Sequence, residues 1–171
     1  MKTSNKFLVT ALSVISLAGV AVTAKYEGFT SKPIIPVKGD VPTIGFGTTS
    51  YPDGTTVKMG DKAITKDQGM QYLKAHMGKD AKQFNKTLQG VYLSQKEYDL
   101  YMDFTYNFGI SNWKSSSMLK NLKKGNYTEA CKSLLKWKYV AKRDCSIRKN
   151  GCYGLWTRQV DRYNICMGEN K

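Results

Sequence analysis

From Phe7 to Ala24 the chain carries no charged residue, and Lys2 and Lys6 precede the run. Ala, Ser, Thr and Gly dilute its apolar residues, so the run is only weakly hydrophobic. It is long for an export signal and just reaches the length of a short membrane helix. After it the pattern changes. Residues 25–60 hold Pro33, Pro36, Pro42 and a Gly39-Asp40 turn, and predict a β-rich lobe. Within it Thr43-Ile44-Gly45-Phe46-Gly47-Thr48-Thr49 predicts a β-ribbon, and Tyr51-Pro52-Asp53-Gly54 a tight turn. Thr65 with Gln68 is a capping-box start, and Met70, Leu73, Met77, Ala81 and Phe84 continue at helical spacing, predicting a connecting helix that contains His76 as a surface or groove residue. Ser94 with Glu97 opens a second helix through Tyr98, Leu100, Tyr101, Phe104 and Phe108, an aromatic stripe that reads as core packing. Ser116 or Ser117 caps a helix that runs to Gly125. Residues 127–137 and 155–165 predict two more helices, separated by a loop over 143–154.

At 171 residues the chain is one domain-sized unit with a core of its own. A net charge of +14 favours polyanions. The basic residues are scattered, apart from Lys123-Lys124 and Lys142-Arg143, and no nucleic-acid module is present. The charge therefore points to a cell wall or envelope. Four cysteines, Cys131, Cys145, Cys152 and Cys166, lie in the last third of the chain. Beside an export signal an even number predicts disulfides. Three connectivities are possible. We favour Cys145 with Cys152, closing a small loop, and Cys131 with Cys166, tying two helices. A metal site is disfavoured, because His76 is the sole histidine and no Cys-x-x-Cys pair occurs.

Chemistry concentrates at Glu27, directly after the apolar run. A carboxylic acid beside apolar residues can keep its proton and pass it to a leaving oxygen. Taken alone, Glu27 also fits an ordinary helix-end glutamate. Removal of the apolar run after Ala24 would leave Glu27 close to a frayed terminus, whereas a retained run forms the helix that presents it.

Glu27-Gly28 followed by Thr43-Ile44-Gly45-Phe46-Gly47 resembles the bacteriophage lysozyme (endolysin) family, glycoside hydrolase family 24. Further blocks resemble that family in order: Phe104-Thr105-Tyr106-Asn107-Phe108-Gly109, Ser115-Ser116-Ser117-Met118-Leu119, Gly125-Asn126-Tyr127-Thr128-Glu129-Ala130, Trp137, and Gly154-Leu155-Trp156-Thr157-Arg158. The resemblance implies an α+β fold, mainly α-helical, with a small N-terminal β-lobe and an active-site cleft between lobes. It implies a muramidase acting on peptidoglycan through a Glu, Asp and Thr triad, without cofactor or metal. Glu27 and Thr43 match the ends of the triad. The family aspartate position falls on Pro36 or Val37, and Asp40, the acid between the two ends, is the substitute. Asn107 would bond sugar amides. The apolar run resembles signal-arrest-release anchors, which implies residues 1–24 as anchor and residues 25–171 as catalytic domain. It also implies export to the host periplasm, tethering to the inner membrane before release, no nucleic-acid partner and a monomer. The run holds no cysteine, so thiol exchange within it is not its control. A lytic transglycosylase is the alternative enzyme, and a non-catalytic cationic wall- or membrane-binding protein the alternative from another class.

Overall fold

A computed structural model describes residues 5–170, so Lys2 of the predicted N-terminal segment lies outside the described residues. The chain forms two compact units, one of residues 14–82 and a larger one of residues up to 13 together with 83 onward.

The smaller unit starts with α1 (Leu17–Glu27). Ser16 is its N-cap, with the Gly19 N–H donating to the Ser16 hydroxyl at 3.0 Å, which satisfies one of the helix's unpaired donors. The hairpin β2 (Thr30–Ile34) and β3 (Thr43–Gly45) follows, then α2 (Lys66–Lys79). Thr65 and Gln68 form a complete capping box at α2. Val20, Ala24, Ile44, Phe46, Val57, Leu73 and Met77 are buried and make this unit's core. The Phe29 and Phe46 rings pack at 5.3 Å between centroids. They lie against Gly69, where a Cβ would come within 3.0 Å of the Phe29 ring. A glycine inside a helix is unfavourable by itself, and here close ring packing explains it.

The apolar run is thus not one long helix. No helix among the described residues is long and apolar enough to cross a membrane. Its first part is strand β1 (Phe7–Leu8), antiparallel to β4 (Tyr92–Leu93) in the larger unit. The predicted connecting helix is also divided. α2 ends at its C-cap Asp80, and α3 (Ala81–Thr87) begins afresh.

The larger unit is built on α4 (Gln95–Phe108), whose residues from Glu97 to Thr105 are all buried. Its Ser94–Glu97 capping box is complete. α5 (Ile110–Ser115), which the sequence pattern does not predict, brings in Trp113. That indole is fully buried, with Phe84 at 5.0 Å and Tyr101 at 5.3 Å, and its Nε1–H donates to the Thr87 hydroxyl at 2.8 Å. A buried Trp needs such a partner for its N–H. The aromatic stripe of α4 is therefore core. Ser116, rather than Ser117, caps α6 (Ser117–Lys123). α7 (Tyr127–Leu134) stops earlier than predicted, and α8 (Tyr153–Glu169) begins earlier and runs on. Between them β5 (Tyr139–Val140) and β6 (Arg143–Asp144) form a hairpin that begins before the loop expected over 143–154 and runs into it. Disulfides join Cys131 to Cys166 and Cys145 to Cys152, with Cα atoms 5.5 and 4.9 Å apart. The first ties α7 to α8 and the second closes the loop before α8. This is the pairing favoured from the sequence.

Candidate active site

Glu27 is the last residue of α1 and is half-buried. Gly28 ends the helix with φ 68° and ψ 159°, a conformation that glycine adopts without the strain a side chain would bring. The chain leaves α1 sharply there and enters β2 at Thr30. β3 pairs with β2, Thr43 opposite Ile34 and Gly45 opposite Thr30, with an irregular register between. Thr43 is half-buried and its neighbours Ile44, Gly45 and Phe46 are buried.

The Thr43–Thr49 segment, expected as a ribbon, is a three-residue strand followed by a tight turn. Ile44 and Thr48 exchange two backbone hydrogen bonds of 2.9 Å around Gly45-Phe46-Gly47. Gly45 has φ 66°, and a Cβ there would meet the Gly69 backbone and the Ile64 side chain at 3.3 Å. Both the turn and the close approach of α2 require glycine at this position. Rigid packing under β3 holds the backbone of Thr43 in place. The smaller unit therefore carries Glu27 at the end of its first helix and Thr43 on the strand paired with the one leaving that helix.

Asp40 lies in the exposed hairpin loop. Its backbone N–H donates to the Val37 carbonyl at 3.0 Å, and its carboxylate accepts from the Val41 N–H at 2.8 Å. This is a turn aspartate bonding its own backbone. Asn107 is exposed at the C-terminal end of α4 in the larger unit, its side-chain oxygen 3.5 Å from both terminal nitrogens of Arg162. His76 is half-buried, and its Nε2 meets the Ser50 carbonyl at 2.7 Å, so it ties the 48–57 loop to α2. That loop also holds Tyr51, whose hydroxyl donates to Asp61 at 2.8 Å. Burial first, and then the Asp61 carboxylate, push Tyr51 up to about 12. Among the described residues no group of His, Cys, Asp and Glu is arranged to hold a metal ion.

One buried ionic cluster escaped the sequence reading. Asp103 on α4 binds Arg158 and Arg162 on α8, each closest pair at 2.6 Å. Arg158 is the arginine of the Gly154-Leu155-x-x-Arg158 block, and its partner marks it as a structural residue.

The chain from residue 24 to residue 161 matches the family model described as phage lysozyme. It is 32% identical over 130 residues to the endolysin of Salmonella phage P22, covering 75% of this chain and 86% of that protein. It is 26% identical over 157 residues to the SAR-endolysin of Enterobacteria phage PA-2, covering 90% of this chain and 87% of that one. A crystal structure of a P22 lysozyme variant superimposes with a TM-score of 0.77 at 27% identity, over 91% of this chain and 99% of the other. With its helical α+β architecture and the Glu27 and Thr43 hairpin inside the matched region, the chain belongs to the phage lysozyme family.

Proposed function

We propose that the protein is an endolysin of glycoside hydrolase family 24, a muramidase that cleaves the β-1,4 bond between N-acetylmuramic acid and N-acetylglucosamine in peptidoglycan and so lyses the host cell. The observation that carries this is Glu27 at the end of α1, followed by the β2–β3 hairpin that holds Thr43, within the stretch matched to the family. Glu27 is the general acid. It protonates the glycosidic oxygen as the anomeric C–O bond breaks, and the sugar passes through an oxocarbenium-like transition state. The Thr43 hydroxyl holds the attacking water, whose oxygen forms the new C–O bond and whose proton leaves to a base or to solvent. Asn107 bonds the substrate's amides. No cofactor enters the reaction.

Asp40 is the acid nearest in sequence to Thr43, and we assign it a supporting electrostatic role rather than the main water-holding one. Its carboxylate already accepts from the Val41 N–H. Asp40→Asn retains that acceptor and removes only the charge. We expect activity to fall by less than about tenfold, well below the effect typical of a general acid or base. A loss of about a hundredfold would instead make Asp40 the principal water-positioning carboxylate.

The test of the reaction is product analysis on purified peptidoglycan. Hydrolysis creates new reducing ends of N-acetylmuramic acid. The absence of a carboxylate at Pro36 and Val37 favours a second reading, a lytic transglycosylase, which would release anhydro products lighter by one water. Binding to the wall without any released product would discard both enzymatic readings.

The N-terminal segment is a signal-arrest-release anchor in this proposal. It exports the enzyme to the periplasm, tethers it to the inner membrane and is retained after release. Retention has a structural motive. Val20 and Ala24 are buried in the core of the smaller unit, and α1 runs straight across the Ala24–Lys25 bond to Glu27. The mass of the periplasmic enzyme should include residues 1–24, and a form starting at Lys25 would exclude this arrangement.

A further inference from the structure

The larger unit contains a cation socket that the chain's own N-terminus fills. Glu97 has a fully buried side chain. One of its oxygens accepts from the Ser94 N–H at 2.8 Å, closing the capping box of α4. The other accepts from Lys6 Nζ at 3.2 Å and from Asn170 Nδ2 at 2.7 Å. Lys6 Nζ also donates to Asn170 Oδ1 at 2.7 Å and lies 3.5 Å from the centre of the Tyr127 ring. A carboxylate, an amide oxygen and an aromatic face therefore surround one ammonium group. Cations favour all three partners.

The rest of the N-terminal stretch is held by a short strand pair and a few further contacts, among them buried Val9 and the Phe7 ring 6.2 Å from that of Tyr98. β1 contributes only the pairs Phe7 with Leu93 and Leu8 with Tyr92, extended by the Val9 N–H to the Val91 carbonyl at 3.0 Å. The Ser13 carbonyl accepts from Asn85 Nδ2 and from the Tyr98 hydroxyl at 2.8 and 2.9 Å. So short a strand pair is marginal by itself. A buried carboxylate that loses its cation, in contrast, is strongly unfavourable.

We propose that Glu97, Asn170 and Tyr127 form a docking site for Lys6, and that filling it decides whether residues 5–13 are part of the folded enzyme. The capping box needs only an acceptor at Glu97, which a glutamine would supply. The buried negative charge is accounted for by the lysine. Asn170, which bonds both Lys6 and Glu97, also donates to the Cys166 carbonyl at 2.9 Å. The same contact therefore finishes the last turn of α8. On the anchor reading above, a chain whose N-terminus is still in the bilayer leaves the socket empty. Docking of the N-terminus and tightening of α8 are then one event. The socket itself rests on the geometry alone and is independent of the catalytic assignment.

The experiment is limited proteolysis of the full-length protein, with cleavage sites mapped by mass spectrometry. In Lys6→Met, cleavage within residues 5–13 should become at least about tenfold faster, because proteolysis follows the population of the open form. In Lys6→Met with Glu97→Gln, no buried charge remains to be paired, and most of the protection should return. Wild-type resistance in Lys6→Met, or equally fast cleavage in the single and double variants, would overturn the proposal. Should Lys6→Met fail to fold, a folded double variant supports the socket and an unfolded one refutes it.

Discussion

Glu27→Gln is expected to lower kcat/KM on peptidoglycan by about 10²- to 10⁴-fold, the usual worth of a general acid. Glutamine keeps the size and polarity of the side chain but holds no proton acidic enough to give to a leaving oxygen. The same variant should melt close to the wild type. Lost activity with an unchanged melting temperature separates a catalytic role from a structural one, because a structural glutamate would lose both. Reducing-end release and a thermal melt on the same preparation provide the two readings. Unchanged lysis by Glu27→Gln would point to the non-catalytic cationic protein instead.

Glu27 by itself reads as an ordinary helix-end glutamate before a glycine stop. The candidate site was legible only because Glu27-Gly28 stands ahead of Thr43-Ile44-Gly45-Phe46-Gly47 in the order of the phage lysozyme family. The capping boxes at Thr65 and Ser94 were equally plain, because each rests on two side chains at a fixed spacing and both are complete in the structure. The glycines of the Thr43–Thr49 segment signalled a special backbone, but not that the ribbon would close into a turn around Phe46. Local pattern could not foresee β1. A two-residue strand has no periodicity, and its partner Tyr92–Leu93 is far away in the chain. The apolar run was therefore read as one segment, although it divides between a strand in the larger unit and a helix in the smaller one. Asp40 could be read either way, and its bond to Val41 shows the turn role that Gly39-Asp40 suggests.

The buried cluster was hidden for a different reason. Hydrophobic periodicity assigns charged residues to the surface, so the apolar pattern gives no sign that Asp103, Arg158 and Arg162 are buried. Yet their side chains are only 2%, 7% and 3% exposed. Burial of charge is tolerated there because the charges meet each other, and only three-dimensional pairing can reveal that.

Asp103→Leu should in consequence destabilise the protein by about 3–5 kcal/mol, the cost of leaving a buried ion without its partner. Here one aspartate serves two arginines. Arg162 also donates to the Asp103 backbone carbonyl at 3.1 Å and to the Gln159 side chain, and its guanidinium stacks 5.8 Å from the Phe104 and Phe108 ring centres. Gln159 in turn donates to the Leu134 and Trp137 carbonyls at 3.3 and 3.1 Å, at the last residue of α7 and just beyond it. Loss of Asp103 thus loosens α4, α8 and the end of α7 together. Against a total stability of about 5–15 kcal/mol, such a loss removes a large share of the margin. The net contribution of the ionic cluster itself is a separate matter. Replacing all three charges by apolar residues of similar volume is often neutral or stabilising. Asp103→Leu combined with Arg158→Met and Arg162→Met should therefore recover most of the stability lost in the single variant. Urea unfolding of the three proteins decides this: a single variant within about 1 kcal/mol of the wild type would show the cluster to be solvated rather than buried. Because the expected defect is in folding and not in chemistry, Asp103→Leu assayed in the cold, where it is folded, should cleave peptidoglycan at close to the wild-type rate, whereas Glu27→Gln stays inactive at every temperature.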